Sequence, residues 1–221
     1  MLPIKDEVRS RSWPIWTWAL IAANVLVFVY ELLLGKRVDD LIMTWGFVPA
    51  RFFSYLDWPT VFSSMFMHAG WLHIIGNMLY LWIFGDNVED VMGKLLYPFF
   101  YLASGIVAVL AHALLFPGSD VPLVGASGAI AGVLGAYLLF FPKARVLTVV
   151  FTIPFSITRI PSWILLLIWF GLQIVNSLLT ASASGGAGVA YLAHIGGFGA
   201  GFLLALPVYI IRRVAHRYPF A

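Results

Sequence analysis

Cysteine is absent from the 221 residues, which excludes disulfides, a thiol nucleophile and thiolate-bound metal, and leaves the redox compartment open. Charge is scarce as well. Only 10% of residues are Asp, Glu, Lys or Arg, against about a quarter in an ordinary soluble domain, and a water-exposed surface cannot be covered from that stock. The net charge of +3 comes from Lys and Arg scattered over loops and termini. No basic stripe forms, so nucleic acid is not an expected partner. There is no repeat of 20–50 residues and no low-complexity tract, and a single domain is the simplest reading.

What is abundant is apolar: 62% of residues are hydrophobic. A bilayer-spanning helix needs about 20 such residues, and apolar runs lie at about 15–34, 71–85, 95–116, 126–141, 162–180 and 189–211. Gly, Pro, Asp and basic residues separate them. The second and fourth are short and are expected to extend into flanking residues. Residues 1–14 form a mixed-charge N-terminal segment and 212–221 a basic tail. The first run is longer than the 7–15-residue core of a signal peptide and is expected to be retained; the N-terminus does not read as an organellar transit peptide. Between the first two runs, the aromatic connection around 35–70 is expected to lie partly in the membrane interface as short amphipathic helices.

The positive-inside rule orients these spans. With the N-terminus in the cytoplasm, Lys5, Arg9, Arg11, Lys94, Lys143, Arg145, Arg159, Arg212, Arg213 and Arg217 fall inside, and only Lys36, Arg37 and Arg51 fall outside. Both termini are therefore expected to be cytoplasmic. Spans two, four and six then start at the outer face, where His73, Ser127 and His194 share one depth.

The fourth span begins GASGAIAGVLGA, with Ser127, Ala131 and Gly135 on one stripe and Gly128, Gly132 and Ala136 on the next. The sixth carries His194, Gly197, Gly201 and Ala205 on one face. Small residues let backbones approach closely. If the two faces meet, with Ala131 and Gly135 opposite Gly197, Ser127 and His194 come within hydrogen-bond reach, the minimum geometry for a base-activated serine. Each stripe taken alone reads as packing rather than function.

In the second span His73 and Asn77 are four apart on one face. With the Ser127 backbone N–H they could supply donors to a tetrahedral oxyanion; an interhelical polar clamp is the alternative. His68, at the lip of this span, reads as structural. No acid falls near the outer ends of these spans, so a Ser-His dyad rather than a triad is expected, with neutral His194 accepting the serine proton. Hydrolysis requires water, so the site must be an outward-opening cavity, its mouth lined by the loop GSDVPLVG at 118–125.

The segments HAGWLHIIGN at 68–77, GASG at 125–128 and AHIGGFGAG at 193–201 resemble the three signature regions of the rhomboid intramembrane proteases, over about residues 15–211. The resemblance implies an all-α, polytopic, six-transmembrane-helix rhomboid-like bundle with a long, partly membrane-embedded first loop. It implies a Ser127–His194 dyad with His73, Asn77 and the Ser127 amide in the oxyanion hole, and peptide-bond hydrolysis in or next to the membrane spans of protein substrates. No metal or cofactor is implied. The bilayer itself is a partner, and the expected location is the inner (plasma) membrane of a bacterial cell, the site opening to the outer face.

Two features depart from the family pattern. Trp58 is followed by Pro59 where some relatives have Trp-Arg, so the first loop must be supported differently. Ala131 stands where some relatives place an aromatic that braces the His ring. By family likeness, Trp169, Phe170, Gln173 and Asn176 of span five, with the loop after it, are candidates for a lateral substrate gate; ordinary packing is the alternative. Two competing functions remain: a non-catalytic protein that binds membrane helices in the same groove, and a transporter or proton relay using intramembrane His residues. Retention of Ser127, His194, His73 and Asn77 together favours the protease, as does their gathering at one depth.

Overall fold

The computed structural model describes residues 1–151, 156–181 and 191–215. The architecture is a helical bundle: α1 (Ile15–Leu34), short α2 (Val38–Trp45), α3 (Pro49–Tyr55) and α4 (Trp58–Ser63), then α5 (Trp71–Met92), α6 (Leu96–Leu115), α7 (Ser127–Phe140), α8 (Ser162–Ala181) and α9 (Tyr191–Val214). Four helical runs are long and apolar enough to cross a bilayer, Ile15–Trp45, Leu96–Leu115, Ser162–Leu179 and Tyr191–Val214. Their outward side chains are largely apolar, including Leu26, Leu33, Leu203 and Ile211, a surface suited to lipid rather than water. The tail beyond residue 215, with Arg217, lies outside the described residues.

The expected short runs resolve differently. The second extends through Asp86 and Glu89 to Met92, because these acids find partners inside the protein. The Glu89 carboxylate accepts the Thr17 N–H at 2.8 Å and the Trp16 N–H at 3.1 Å, satisfying donors that the first turn of α1 leaves open. It also pairs with Lys94 at 2.8 Å. The fourth stays short, at 14 residues. Helix α7 is the axis of the bundle: Ala129 through Tyr137 are buried without a break, and Leu81, Phe84, Tyr97, Tyr101 and Phe198 pack in the same core.

Helices α7 and α9 touch through their backbones. A methyl group on Gly197 would overlap the Gly128 carbonyl oxygen, one on Gly201 the Gly132 carbonyl, and one on Gly135 the Phe198 carbonyl. The expected register therefore needs correction. The carbonyls of Gly128 and Gly132, rather than Ala131, meet Gly197 and Gly201, while Gly135 of the expected stripe meets α9 at Phe198. The Gly128–Gly132 stripe is turned toward Ser104 and Ala108 of α6, and it is its carbonyls that meet α9.

The expectation of an all-α chain also needs correction, since an antiparallel three-stranded sheet lies at the other end of the bundle. Its order is β1 (Leu2–Asp6), β2 (Arg145–Val150), β3 (Ser156–Pro161). The N-terminal segment is thus folded, with Asp6 paired to Val146 and Leu2 to Val149. The run Arg-Val-Leu-Thr-Val-Val is rich in β-branched residues and pairs locally with β3, whereas its other partner, β1, lies about 140 residues away in sequence, so nothing near the N-terminus announces the third strand, β1.

Two outcomes follow for stability. Gly197→Ala should cost about 1–3 kcal/mol through overpacking, read as a melting temperature lower by roughly 2–12 °C at this chain length. Gly199, with open space around it, should accept Ala without loss; equal tolerance at both sites in thermal denaturation would refute the contact. At the sheet end, the Asp6 carboxyl accepts from Tyr137 Oη at 2.6 Å and Asn87 Nδ2 at 2.8 Å. Burial pushes its pKa from 3.8 up to about 7, the Tyr137 hydrogen bond opposing and nearby Asp86 adding to the rise. Between those values the folded chain holds a proton that the unfolded chain has released. The stability it contributes is complete at about pH 4 and lost as pH rises through about 7. Asp6→Asn keeps an acceptor but cannot titrate, and should flatten the decline in melting temperature from pH 4 to pH 8; an unchanged slope would assign the decline elsewhere.

Candidate active site

Ser127 is the first residue of α7. The turn into it is set by Gly125, whose φ of +131° is a conformation that side-chain-bearing residues rarely adopt. Its N–H donates to the Ser64 carbonyl at 2.8 Å, tying the turn to the long first connection. A β-carbon at Gly125 would lie 2.7 Å from His73 Nε2 and 3.6 Å from Ser127 Oγ. Glycine here therefore lets the His73 imidazole come up beside the serine.

His194 enters from the first turn of α9. Its Nε2 is 2.7 Å from Ser127 Oγ, and its Nδ1 is 2.8 Å from Gln173 Oε1 on α8. Trp169, one turn before Gln173, lies against the imidazole with ring centroids 5.8 Å apart. His194 is buried, with 8% of its surface exposed.

On α5, His73 and Asn77 face the same space. His73 Nδ1 accepts the Ala69 N–H at 3.4 Å, which leaves its Nε2 to carry the ring proton on the side facing Gly125 and Ser127. Asn77 Nδ2 donates to His68 Nε2 at 2.9 Å. His68 is itself buried, and its backbone N–H donates to the Glu31 carboxylate at 3.1 Å. Desolvation, with a smaller contribution from His73, lowers the His68 pKa to about 4, so its imidazole is a neutral acceptor. His68 thus holds Asn77, the structural role expected of it.

Ser127, His194, Gln173, Trp169, His73 and Asn77 line one cavity of about 670 Å³. Val121, Pro122, Leu123 and Val124 form part of its wall, placing the 118–125 loop where the sequence reading put it. That loop is bridged to the first connection by paired hydrogen bonds between Phe47 and Leu123, 3.0 and 2.7 Å. Arg51 braces the connection internally: Nε pairs with Asp57 at 2.8 Å, and Nη1 and Nη2 donate to the Met43 and Gly46 carbonyls, each at 2.6 Å. Among the described residues no three His, Asp or Glu side chains converge as a metal-binding set.

A family model described as the Rhomboid domain matches residues 55–211. The chain belongs to the rhomboid family. Similar proteins include Rhomboid protease GluP of Bacillus subtilis, 32% identical over 126 residues, or 57% of this chain and 24% of that protein. Rhomboid protein 1, mitochondrial, of Saccharomyces cerevisiae is 32% identical over 146 residues, 62% of this chain and 40% of that protein. Rhomboid protease GlpG of Salmonella newport is 32% identical over 92 residues, 42% of this chain and 32% of that protein. The chain therefore spans less than half the length of each. With its apolar helices, this rhomboid protein is an integral membrane protein.

The structure brings Ser127, His194, His73 and Asn77 to one cavity, and it answers both departures of this rhomboid chain from the family pattern. Arg51 supplies support within the first connection. Trp169 of α8 supplies the aromatic beside His194 that position 131 lacks. Of the four gate candidates, Trp169 and Gln173 contact His194, and Phe170 stacks on Phe198 at 4.7 Å; the loop after α8 lies outside the described residues. Sequence reasoning missed the Gln173 contact, although Trp169 and Gln173, four apart, share one helical face.

Proposed function

We propose that this rhomboid protein is an intramembrane serine protease in which Ser127 is the nucleophile and His194 its general base. The observation that carries the reading is the 2.7 Å separation of Ser127 Oγ and His194 Nε2 inside a cavity that also receives His73 and Asn77. Ser127 Oγ attacks the scissile carbonyl while His194 Nε2 takes its proton. The charge that develops on the carbonyl oxygen is met by the Ser127 N–H, left open at the first turn of α7, by His73 Nε2–H, and by the second N–H of Asn77. His194 returns the proton to the departing amine. Water, deprotonated by the same imidazole, then hydrolyses the acyl-enzyme, and the second proton passes back to Ser127.

The substrates are membrane-spanning proteins cut in or next to their spans. We place six spans in the bilayer, counting α5 and α7 with the four long apolar runs. Both termini are cytoplasmic, the first connection is partly embedded, and the membrane is the inner (plasma) membrane of a bacterial cell. Supporting this is the length of α7: 14 residues measure about 21 Å against about 30 Å of hydrocarbon. A helix anchored by the sheet at its cytoplasmic end holds Ser127 several ångströms below the outer surface, and water reaches it through the cavity.

Cleavage of a labelled single-span substrate tests the roles together. Ser127→Ala and His194→Ala should each leave no more than a few per cent of wild-type turnover in folded protein. Asn77→Ala, which removes one of several donors, should lower kcat roughly 10- to 1000-fold with little change in KM. Substantial turnover by either of the first two would overturn the dyad, and an unchanged kcat would return Asn77 to a structural role.

A further inference from the structure

We infer that Gln173 is a positioning residue for the base, holding His194 in the one tautomer that can accept the Ser127 proton; the inference rests on the protease reading above. A neutral imidazole carries its proton on either nitrogen, and which one is decided by the partner of the other. Ser127 needs a lone pair on Nε2, so Nδ1 must hold the proton and needs an acceptor. Gln173 Oε1 lies 2.8 Å from Nδ1 and, as a carbonyl oxygen, can only accept.

The orientation of the amide is itself fixed. Gln173 Nε2 donates to the Trp169 carbonyl one turn back along α8, at 3.4 Å. With the amide reversed, its NH₂ would face Nδ1, drive the ring proton to Nε2, and leave Ser127 with no base. Trp169 restricts the ring by lying against it, and Gln173 sets its protonation; both come from consecutive turns of α8.

A neutral amide suits this place. Gln173 and His194 each have 8% of their surface exposed, and an uncharged acceptor avoids the cost of burying a carboxylate. The titratable groups facing His194 across the cavity are His73 of α5, Tyr80 of α5 and His112 of α6, with Tyr191 on its own helix. No carboxylate lines the cavity among the described residues. Gln173 takes no proton during turnover; it acts by keeping the second nitrogen of the base occupied.

The test compares full-length wild type, Gln173→Leu, Gln173→Glu and Ser127→Ala for pH-dependent cleavage and for reaction with a fluorophosphonate. Melting temperature and size-exclusion behaviour serve as folding controls. Gln173→Leu removes the acceptor and should lower kcat roughly 10- to 100-fold with KM nearly unchanged, slowing fluorophosphonate reaction in parallel. Gln173→Glu restores an acceptor and should recover most of that loss. Its negative charge favours the imidazolium, so the acid limb of its pH profile should move to higher pH. A packing role alone would not move that limb. If Gln173→Leu matches wild type in kcat at every pH, or Gln173→Glu folds but neither recovers activity nor moves the acid limb, the positioning role is wrong while the dyad stands. If Ser127→Ala still cleaves, the protease reading itself fails.

Discussion

The site depends on the backbone contact between α7 and α9. Gly197 and Gly201 of α9 leave no room for a β-carbon against the Gly128 and Gly132 carbonyls of α7, nor does Gly135 of α7 against the Phe198 carbonyl, and this closeness carries Ser127 and His194 to 2.7 Å. In a bilayer, helices gain nothing by burying apolar side chains against one another rather than against lipid tails, so close packing of small residues is the available means of association. Two carbonyls at van der Waals contact with facing glycines fix both register and distance. The proposed reacting pair sits at the end of that contact, where an error of about 1 Å can cost roughly a hundredfold in rate.

Around this axis the remaining elements set direction rather than distance. Helix α8 meets the imidazole through Trp169 and Gln173. Helix α5 brings His73 and Asn77, and the glycine turn at 125 admits His73 beside the serine. Asn77 is held in turn by His68, whose backbone rests on Glu31 of α1. At the opposite end Glu89 caps α1, and the sheet ties the N-terminal segment to the α7–α8 connection. The polar groups therefore gather at two levels, one around the cavity and one at the sheet, joined by the apolar length of α7.

Much of the geometry of the proposed site was legible because its determinants are local. Glycine spacing of three and four, a histidine on the same face, and the positive-inside count together brought Ser127, His194 and His73 to one depth. Other features were not legible, for identifiable reasons. Register between two glycine-rich faces is ambiguous when adjacent stripes are both small, and only the packing of α6 against Gly128 and Gly132 leaves their carbonyls to α9. β1 pairs with β2 about 140 residues away and so has no local partner to announce it, while the β2–β3 hairpin lies in what reads by hydropathy as a connection between spans. The extension of α5 to Met92 was hidden by acids that are satisfied only in three dimensions. Gln173 was noticed for its place on span five, but its partner depends on how α8 rotates against α9, which hydropathy does not specify.

The central claim, that glycine contact between α7 and α9 holds the serine within reach of its base, is most directly tested two turns away from the chemistry. Gly201→Ala leaves Ser127, His194 and Gln173 intact and adds one methyl group against the Gly132 carbonyl. The rate at which a fluorophosphonate modifies Ser127, followed by mass spectrometry of the peptide containing it, should fall at least about tenfold in folded protein. Modification at the wild-type rate would contradict the account.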